Sequence, residues 1–200
     1  MYALIVGPLL VGVLAGYALG GRLSWLARNR IRAVWLLWLA AAVQFVHFTW
    51  ESARSAVESW THMSLLVPIF GLVGVWVLVN LPRRTLALRI AGGVILLGGA
   101  MNAAAILANG RMPYSESAVR AAQLTTEQRE RAMRSPKHVA AGEHARLRWL
   151  GDVIPVAPIG KVVSAGDIVL LAGAAGLIAA AMRRPAPIRS SAVPPTSTSS

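Results

Sequence analysis

The chain has no cysteine, which excludes disulfides, thiolate metal sites and cysteine nucleophiles. Charge is also scarce. Asp, Glu, Lys and Arg make up 14% of the 200 residues, against about 25% in an ordinary soluble domain. Lysine occurs only as Lys137 and Lys161, a bias expected of a GC-rich bacterial genome. No G-x-S-x-G, H-E-x-x-H or phosphate-loop pattern occurs, so the usual sequence signatures of serine hydrolysis, zinc proteolysis and nucleotide hydrolysis are missing.

What is present is apolar. Hydrophobic residues are 56% of the chain and mean hydropathy is +0.56. Long uncharged runs recur, which argues for an integral membrane protein whose main partner is the lipid bilayer. A net charge of +12 suits a nucleic-acid binder in principle. Here most arginines flank apolar runs, as the positive-inside rule describes, so no nucleic-acid partner is expected. Met1 leads directly into YALIVGPLLVGVLAGYALG, without the basic stretch that opens a secretory signal. The first segment therefore reads as a retained anchor with its N-terminus outside.

Apolar segments lie near 1–19, 33–50, 65–81, 90–108 and 166–182. The expected fold is an all-α membrane protein, one domain over 1–184, with about five transmembrane helices. The last segment is short of the roughly 20 residues a span needs, and Arg183 and Arg184 would have to snorkel. Glu51 to Ser64 reads as a short outer loop. A long, partly helical extracytoplasmic loop over 109–165 joins the fourth and fifth spans. Within it, Tyr114 to Arg134 reads as a helix capped by Ser115, and Ser135-Pro136 opens a second helix that Gly151 stops. The stretch DVIPVAPIGKVV, with Pro155, Pro158 and Gly160, is too broken for a helix. It is expected on the outer surface, or dipping into the membrane. The tail at 185–200, rich in Pro, Ser and Thr, should be disordered and cytoplasmic.

Arg22, Arg28, Arg30 and Arg32, then Arg83, Arg84 and Arg89, then Arg183, Arg184 and Arg189 mark one set of short loops as inside, against Arg54 alone in the opposite one. The long loop is basic too, but the rule weakens for loops near 60 residues. The location expected is a bacterial inner membrane, with the C-terminus cytoplasmic. Gly12, Gly16 and Gly20, and again Ala172, Gly176 and Ala180, recur every four residues. Such small-residue ridges admit a close helix, from a second copy or another membrane protein.

Polar residues inside apolar spans are site candidates because they are costly without a partner. Gln44, His47 and Glu51 make a stripe on the second span, and Asn102 is the polar interior residue of the fourth. Asn102 lies seven residues inside Asn109, and Gln44 seven inside Glu51. That places the two amides at matched depth, roughly 10 Å below the outer boundary. An outward-opening pocket is expected, floored by Gln44 and Asn102, lined by His47, and roofed by Asn109–Pro113 and Asp152–Pro155. Ser164 and Asp167 fit an S-x-x-D capping box before the last span, with an acid/base or ion-binding Asp167 as the alternative. His138, Glu143, His144 and Asp152 are conceivable zinc ligands, but H-x5-H matches no common zinc spacing, so no metal and no cofactor are expected.

The late motifs are Asn109-Gly110-Arg111-Met112-Pro113, Lys137-His138, Leu150-Gly151-Asp152-Val153-Ile154-Pro155 and Ser164-Ala165-Gly166-Asp167. They resemble those of an uncharacterised bacterial integral-membrane family, a domain of unknown function with N-G-G-x-M-P after a span, K-H, L-G-D-[IV]-I-P, and S-x-G-D before the last span. Arg111 stands where that family often has Gly, so a turn built on a positive φ there would have to differ. The resemblance implies a fold and a membrane location, and no activity.

Functionally, the sequence reads as a non-enzymatic accessory, scaffold or small-ligand-binding membrane protein. The alternative is a membrane enzyme using His47, His138, Asp152 or Asp167 for acid/base work at an outward site. A small transporter ranks last, because no inverted repeat or pair of broken helices is visible.

Overall fold

The structure is a computed structural model that describes all residues except 1, 29–30, 62–63, 83, 123–137, 141–144 and 184–200. In chain order it comprises α1 (Tyr2–Ala18), α2 (Leu23–Arg28), α3 (Val34–Thr49), α4 (Glu51–Thr61), α5 (Leu66–Asn80), α6 (Leu86–Asn109), β1 (Met112–Tyr114), α7 (Glu116–Ala121), β2 (His138–Ala140), β3 (Asp152–Val156), β4 (Lys161–Ser164) and α8 (Ala165–Ala181). Single 3₁₀ turns at Arg148–Leu150 and Ala157–Ile159 precede and follow β3.

The chain is mostly helical, and α1, α3, α5, α6 and α8 coincide with the five apolar segments of the sequence. Among the described residues, only α6 is both long and apolar enough to cross a membrane by length and composition. Its 24 residues span roughly 36 Å at 1.5 Å per residue, against a hydrocarbon core of about 30 Å. The other four apolar helices run 15 to 17 residues, at most about 26 Å.

The expectation of an all-α fold is corrected. A four-stranded sheet of order β2-β1-β3-β4 occupies the region assigned to the outer loop. Strand β1 lies parallel to both β2 and β3, and β3 pairs antiparallel with β4, with a bulge between Asp152 and Ile154. The stretch Asp152 to Ser164 is thus a hairpin, not a surface coil. Pro155 and Pro158 forbid a helix there, the β-branched residues around them favour strand, and pairing satisfies backbone groups that a buried coil would leave open. The expected loop helices differ where they are described, and most of the one expected over Tyr114–Arg134, residues 123–134, lies outside the described residues. Tyr114 belongs to β1, and α7 starts at Glu116 with the Ser115 hydroxyl accepting from the Ala118 amide at 3.3 Å. Among the described residues, the helix expected from Ser135 is interrupted by β2 and replaced near its end by the Arg148–Leu150 turn; residues 135–137 and 141–144 lie outside the described residues. The Glu51–Ser64 loop is also corrected, since it forms α4 with Glu51 in its first turn, where an acidic residue suits the helix dipole.

The five apolar helices pack in the order α1, α8, α6, α5, α3. Close approaches set their directions. Gly12 lies against Ala175 and Gly16 against Met182, so α1 runs parallel to α8. Ile95 lies against Gly173 and Asn102 against Gly166, so α6 is antiparallel to α8. Leu81 meets Gly92 and Phe70 meets Gly99, so α5 is antiparallel to α6. Arg32, before α3, bonds Asn80 at the end of α5, so these two are antiparallel as well. One end of the bundle therefore gathers Arg22, Arg32, Arg84, Arg89 and Arg183. The other carries α4, α7 and the sheet.

The tightest seam is α6 on α8. A Cβ on Gly98 would lie 2.6 Å from the Leu170 nitrogen and 2.7 Å from the Gly166 oxygen, and one on Gly173 would lie 2.8 Å from the Ile95 nitrogen. Backbone meets backbone here, as small residues allow between membrane helices. Gly93, on the same helix, has nothing within 4 Å of a Cβ. Gly98→Ala should therefore destabilise the detergent-purified protein by about 1–3 kcal/mol, the usual cost of overpacking. Gly93→Ala should be neutral or slightly stabilising, because it removes backbone freedom from a helix at no steric cost. Thermal unfolding of both variants checks this, and equal stability would show the seam to be looser than described.

Candidate functional site

Asn102, Ser164 and Asp167 form a closed ring where α6, β4 and α8 meet. Asn102 Nδ2 donates to Asp167 Oδ1 at 2.7 Å, and the Ser164 hydroxyl donates to Asn102 Oδ1 at 2.9 Å. The Asp167 amide donates to Ser164 Oγ at 2.9 Å, and the Ser164 amide donates to Asp167 Oδ2 at 3.2 Å. The last two bonds are the capping box expected from S-x-x-D. The first two fasten that box to the middle of α6, sixty-odd residues away. Ser164 is fully buried and Asn102 is 2% exposed, so each bond replaces a hydration that burial has removed. Asp167 also sits in the first turn of α8, where the helix dipole favours an anion. Gly166 explains the glycine of S-A-G-D. A Cβ there would collide with Asn102 Oδ1, so only glycine lets the carboxamide reach Asp167.

The other two motifs arrive beside this ring. Gly110 ends α6 with φ 75°, the left-handed stop that glycine supplies at no steric cost. Arg111 keeps a negative φ, so its replacement of a glycine costs no turn: the positive φ of this segment belongs to Gly110 alone. Met112 packs in the core with Ala105, Ile106 and Leu150, and Pro113 is fully buried in β1. A Cβ on Gly151 would strike the Pro113 carbonyl oxygen, so Gly151 is what lets β3 approach β1. Asp152 is 5% exposed, stands opposite both Tyr114 and Ser164 in the sheet, and accepts the Ser115 amide on its carbonyl at 3.0 Å. Pro155, further along β3, is exposed.

Asn109 clamps the chain that returns to the sheet. Its Nδ2 donates to the Ala105 carbonyl at 2.8 Å and to the Arg146 carbonyl at 2.7 Å, while its Oδ1 accepts the Arg146 amide at 2.9 Å. The same device recurs at the opposite end of the bundle, where sequence reading gave Asn80 no role. Asn80 Nδ2 donates to the Trp76 carbonyl at 2.9 Å and to the Arg32 carbonyl at 3.0 Å, and its Oδ1 accepts the Arg32 amide at 2.8 Å. In both cases the clamped arginine precedes a non-glycine residue with positive φ, Ala33 at 52° and Leu147 at 50°. Such residues persist only where surrounding bonds over-determine them. The sequence signal for Asn80 was an amide ending an apolar run just before Pro82.

The remaining candidates fall elsewhere. Gln44 is exposed on α3, whereas Asn102 is buried against α8, so the floor expected of an outward pocket does not form. His47 is fully buried, with Nδ1 3.9 Å from Glu58 Oε1, the carboxylate oxygen that also accepts the Leu65 amide at 3.2 Å. His47 thus links α3 to α4 and the start of α5, away from the Asn102 ring. The backbone of His138 pairs with Met112 in the sheet. Glu143, His144 and Lys137 lie outside the described residues. Of the ridges offered to a partner, Gly12 and Gly16 are filled by α8 of the same chain, and Gly20 is a turn residue with φ 76°. Ala172 and Gly176 are exposed, while the face of α8 that meets α6 carries Gly166 and Gly173.

Breaking the ring should leave buried groups unpaired. Asn102→Leu is expected to cost about 1–3 kcal/mol. Combined with Asp167→Asn, it should show a coupling of at least about 0.5 kcal/mol. Gln44→Leu should cost no more than about 0.5 kcal/mol and add independently to Asn102→Leu. A double-mutant cycle by thermal unfolding measures all three, and additivity between positions 102 and 167 would contradict the ring.

Comparison with known proteins fits this architecture to a group of sequences. The model of a family described as a family of unknown function, DUF5317, matches residues 28–179. The match leaves out α1 and the C-terminal tail and takes in all four motifs. No curated protein and no solved structure matches the chain. With well over half of its length matched, the chain belongs to the DUF5317 family.

Proposed function

We propose that this chain is a multi-pass protein of a bacterial inner membrane, with five helices in the bilayer and the sheet as an outer cap, and that it works as a non-enzymatic accessory or scaffold protein. The membrane reading is supported by where the large apolar side chains lie. Leu14, Trp38, Phe45 and Leu86 are 67%, 74%, 68% and 70% exposed. They sit on α1, α3 and α6, whose inner faces are already packed. Soluble monomers rarely leave such broad apolar surface open. The helices of 15 to 17 residues would be accommodated by local thinning and snorkelling arginines. With arginines gathered at one end, the positive-inside rule places that end in the cytoplasm and the N-terminus, α4 and sheet outside.

The single observation that carries the non-enzymatic reading is the destination of the motif side chains. Those of Asn109, Ser164 and Asp167 bond the backbone or the neighbouring Asn102, Met112 and Pro113 fill core, Gly110 supplies the left-handed helix stop, and Gly151 and Gly166 make room. Each motif residue so placed has a packing or capping task, which favours a protein that presents a shape over one that runs a reaction.

The background free of cysteine makes the topology directly testable. Cysteines at Ser55 and Ser117 should react with an impermeant thiol reagent on intact cells, and one at Ser190 should not. The reverse pattern would put the sheet in the cytoplasm. Release of the chain from membranes by alkaline carbonate would remove the multi-pass reading altogether.

A further inference from the structure

The arginine-rich end of the bundle contains an apolar groove of about 330 Å³. That volume is at the lower end of the range of small-molecule sites, about 300–1,000 Å³. Its walls include Leu26, Ile31, Leu88, Ile95, Leu177 and Ile178. Leu88 and Ile95 are two turns apart on α6, so the groove runs roughly 10 Å along that helix. Asn80 and Arg84 line it as well, and Arg84 is the charged residue among its lining.

The mouth has a distinct electrostatic character. Arg84 Nε donates to the Asn80 carbonyl at 3.2 Å, which holds the guanidinium at the end of α5. Ile31 in the wall is followed by Arg32, Leu88 by Arg89, and Ala181, two residues on, by Arg183. Arg32 itself is fixed to α5 through both bonds of Asn80. An apolar trough about two turns long thus has the Arg84 side chain in its lining, at the end of the bundle where Arg32, Arg89 and Arg183 also lie. A second groove, about 280 Å³ between α5, α6 and α8, is equally apolar but has no charged residue in its lining.

We propose that the first groove seats an acyl chain of an anionic phospholipid from the surrounding bilayer, with its phosphate held by Arg84 in the arginine-rich end of the bundle. The apolar walls select a hydrocarbon chain, and Arg84, with the other arginines of this end, selects a negative headgroup over a zwitterionic one. In the proposed topology this end faces the cytoplasmic leaflet, whose anionic lipids attract juxtamembrane arginines. The bound lipid would fill the gap left between α2, α5, α6 and α8. The inference rests on the membrane reading above.

The test uses the full chain in mild detergent, incubated with equal amounts of phosphatidylglycerol and phosphatidylcholine of identical acyl chains, then examined by native mass spectrometry. Wild type should retain phosphatidylglycerol in preference. Arg84→Gln should cut that preference about fivefold, the worth of one arginine near an anionic surface. Leu177→Trp, which fills the groove, should lower retention of both lipids. Equal retention of the two lipids by wild type overturns the proposal even if a variant fails to fold. So does a preference that survives Arg84→Gln, or retention that ignores Leu177→Trp. The two readings fail differently: a chain extracted by alkaline carbonate sinks the membrane assignment, whereas a chain that stays in the membrane but binds both lipids alike sinks only this one.

Discussion

The contact between α6 and α8 holds the molecule in register. It combines two unlike interactions along one seam. Lower down, Gly98 and Gly173 remove side chains so that backbones touch. At the top, Asn102 crosses to the capping box of Ser164 and Asp167. The glycine contacts tolerate neither rotation nor added volume, and the hydrogen bonds tolerate no slip along the axis. In the proposed bilayer setting apolar helices have little hydrophobic drive to associate, so close packing and a few directed bonds would supply the specificity. From this pair the rest follows outward. Helix α1 lies on α8 through Gly12 and Gly16, and α5 lies on α6 across Gly92.

The seam also ties the bundle to its cap. Ser164 is at once the last residue of β4, the cross-strand partner of Asp152 and the N-cap of α8. Strand β1 leaves α6 only after the Asn109–Gly110 stop, and Asn109 holds the incoming chain at Arg146. The sheet is small and its strands are short, so it could not stand alone. It persists because β1 follows the end of α6 and β4 leads into α8, two helix termini fixed by the ring and by the Asn109 clamp. The repeated use of a helix-terminal asparagine, at Asn80 and at Asn109, shows one solution applied at both ends: a carboxamide substitutes for a neighbouring strand and steadies a residue of positive φ.

Much of this was legible in the sequence, for identifiable reasons. Apolar runs located the five long helices because that signal is summed over many residues. The caps at Ser115 and at Ser164 with Asp167 were readable because capping chemistry is local. The sheet was not, since its strands of three to five residues take their identity from partners far away in the chain, as Tyr114 does from Asp152. The pairing of Gln44 with Asn102 failed because spacing gives depth along a helix but not the direction in which a side chain faces. The region between α6 and α8 holds a four-stranded sheet where helices and coil were expected.

The claim that one polar ring couples cap and bundle is tested most directly by hydrogen–deuterium exchange on the detergent-purified chain, comparing wild type with Asn102→Leu. If the ring is the tie, amides of β1, β3, β4 and the first turns of α8 should lose protection together, while α3 exchanges as before. Loss of protection confined to the immediate neighbours of residue 102, with the sheet unchanged, would contradict the account.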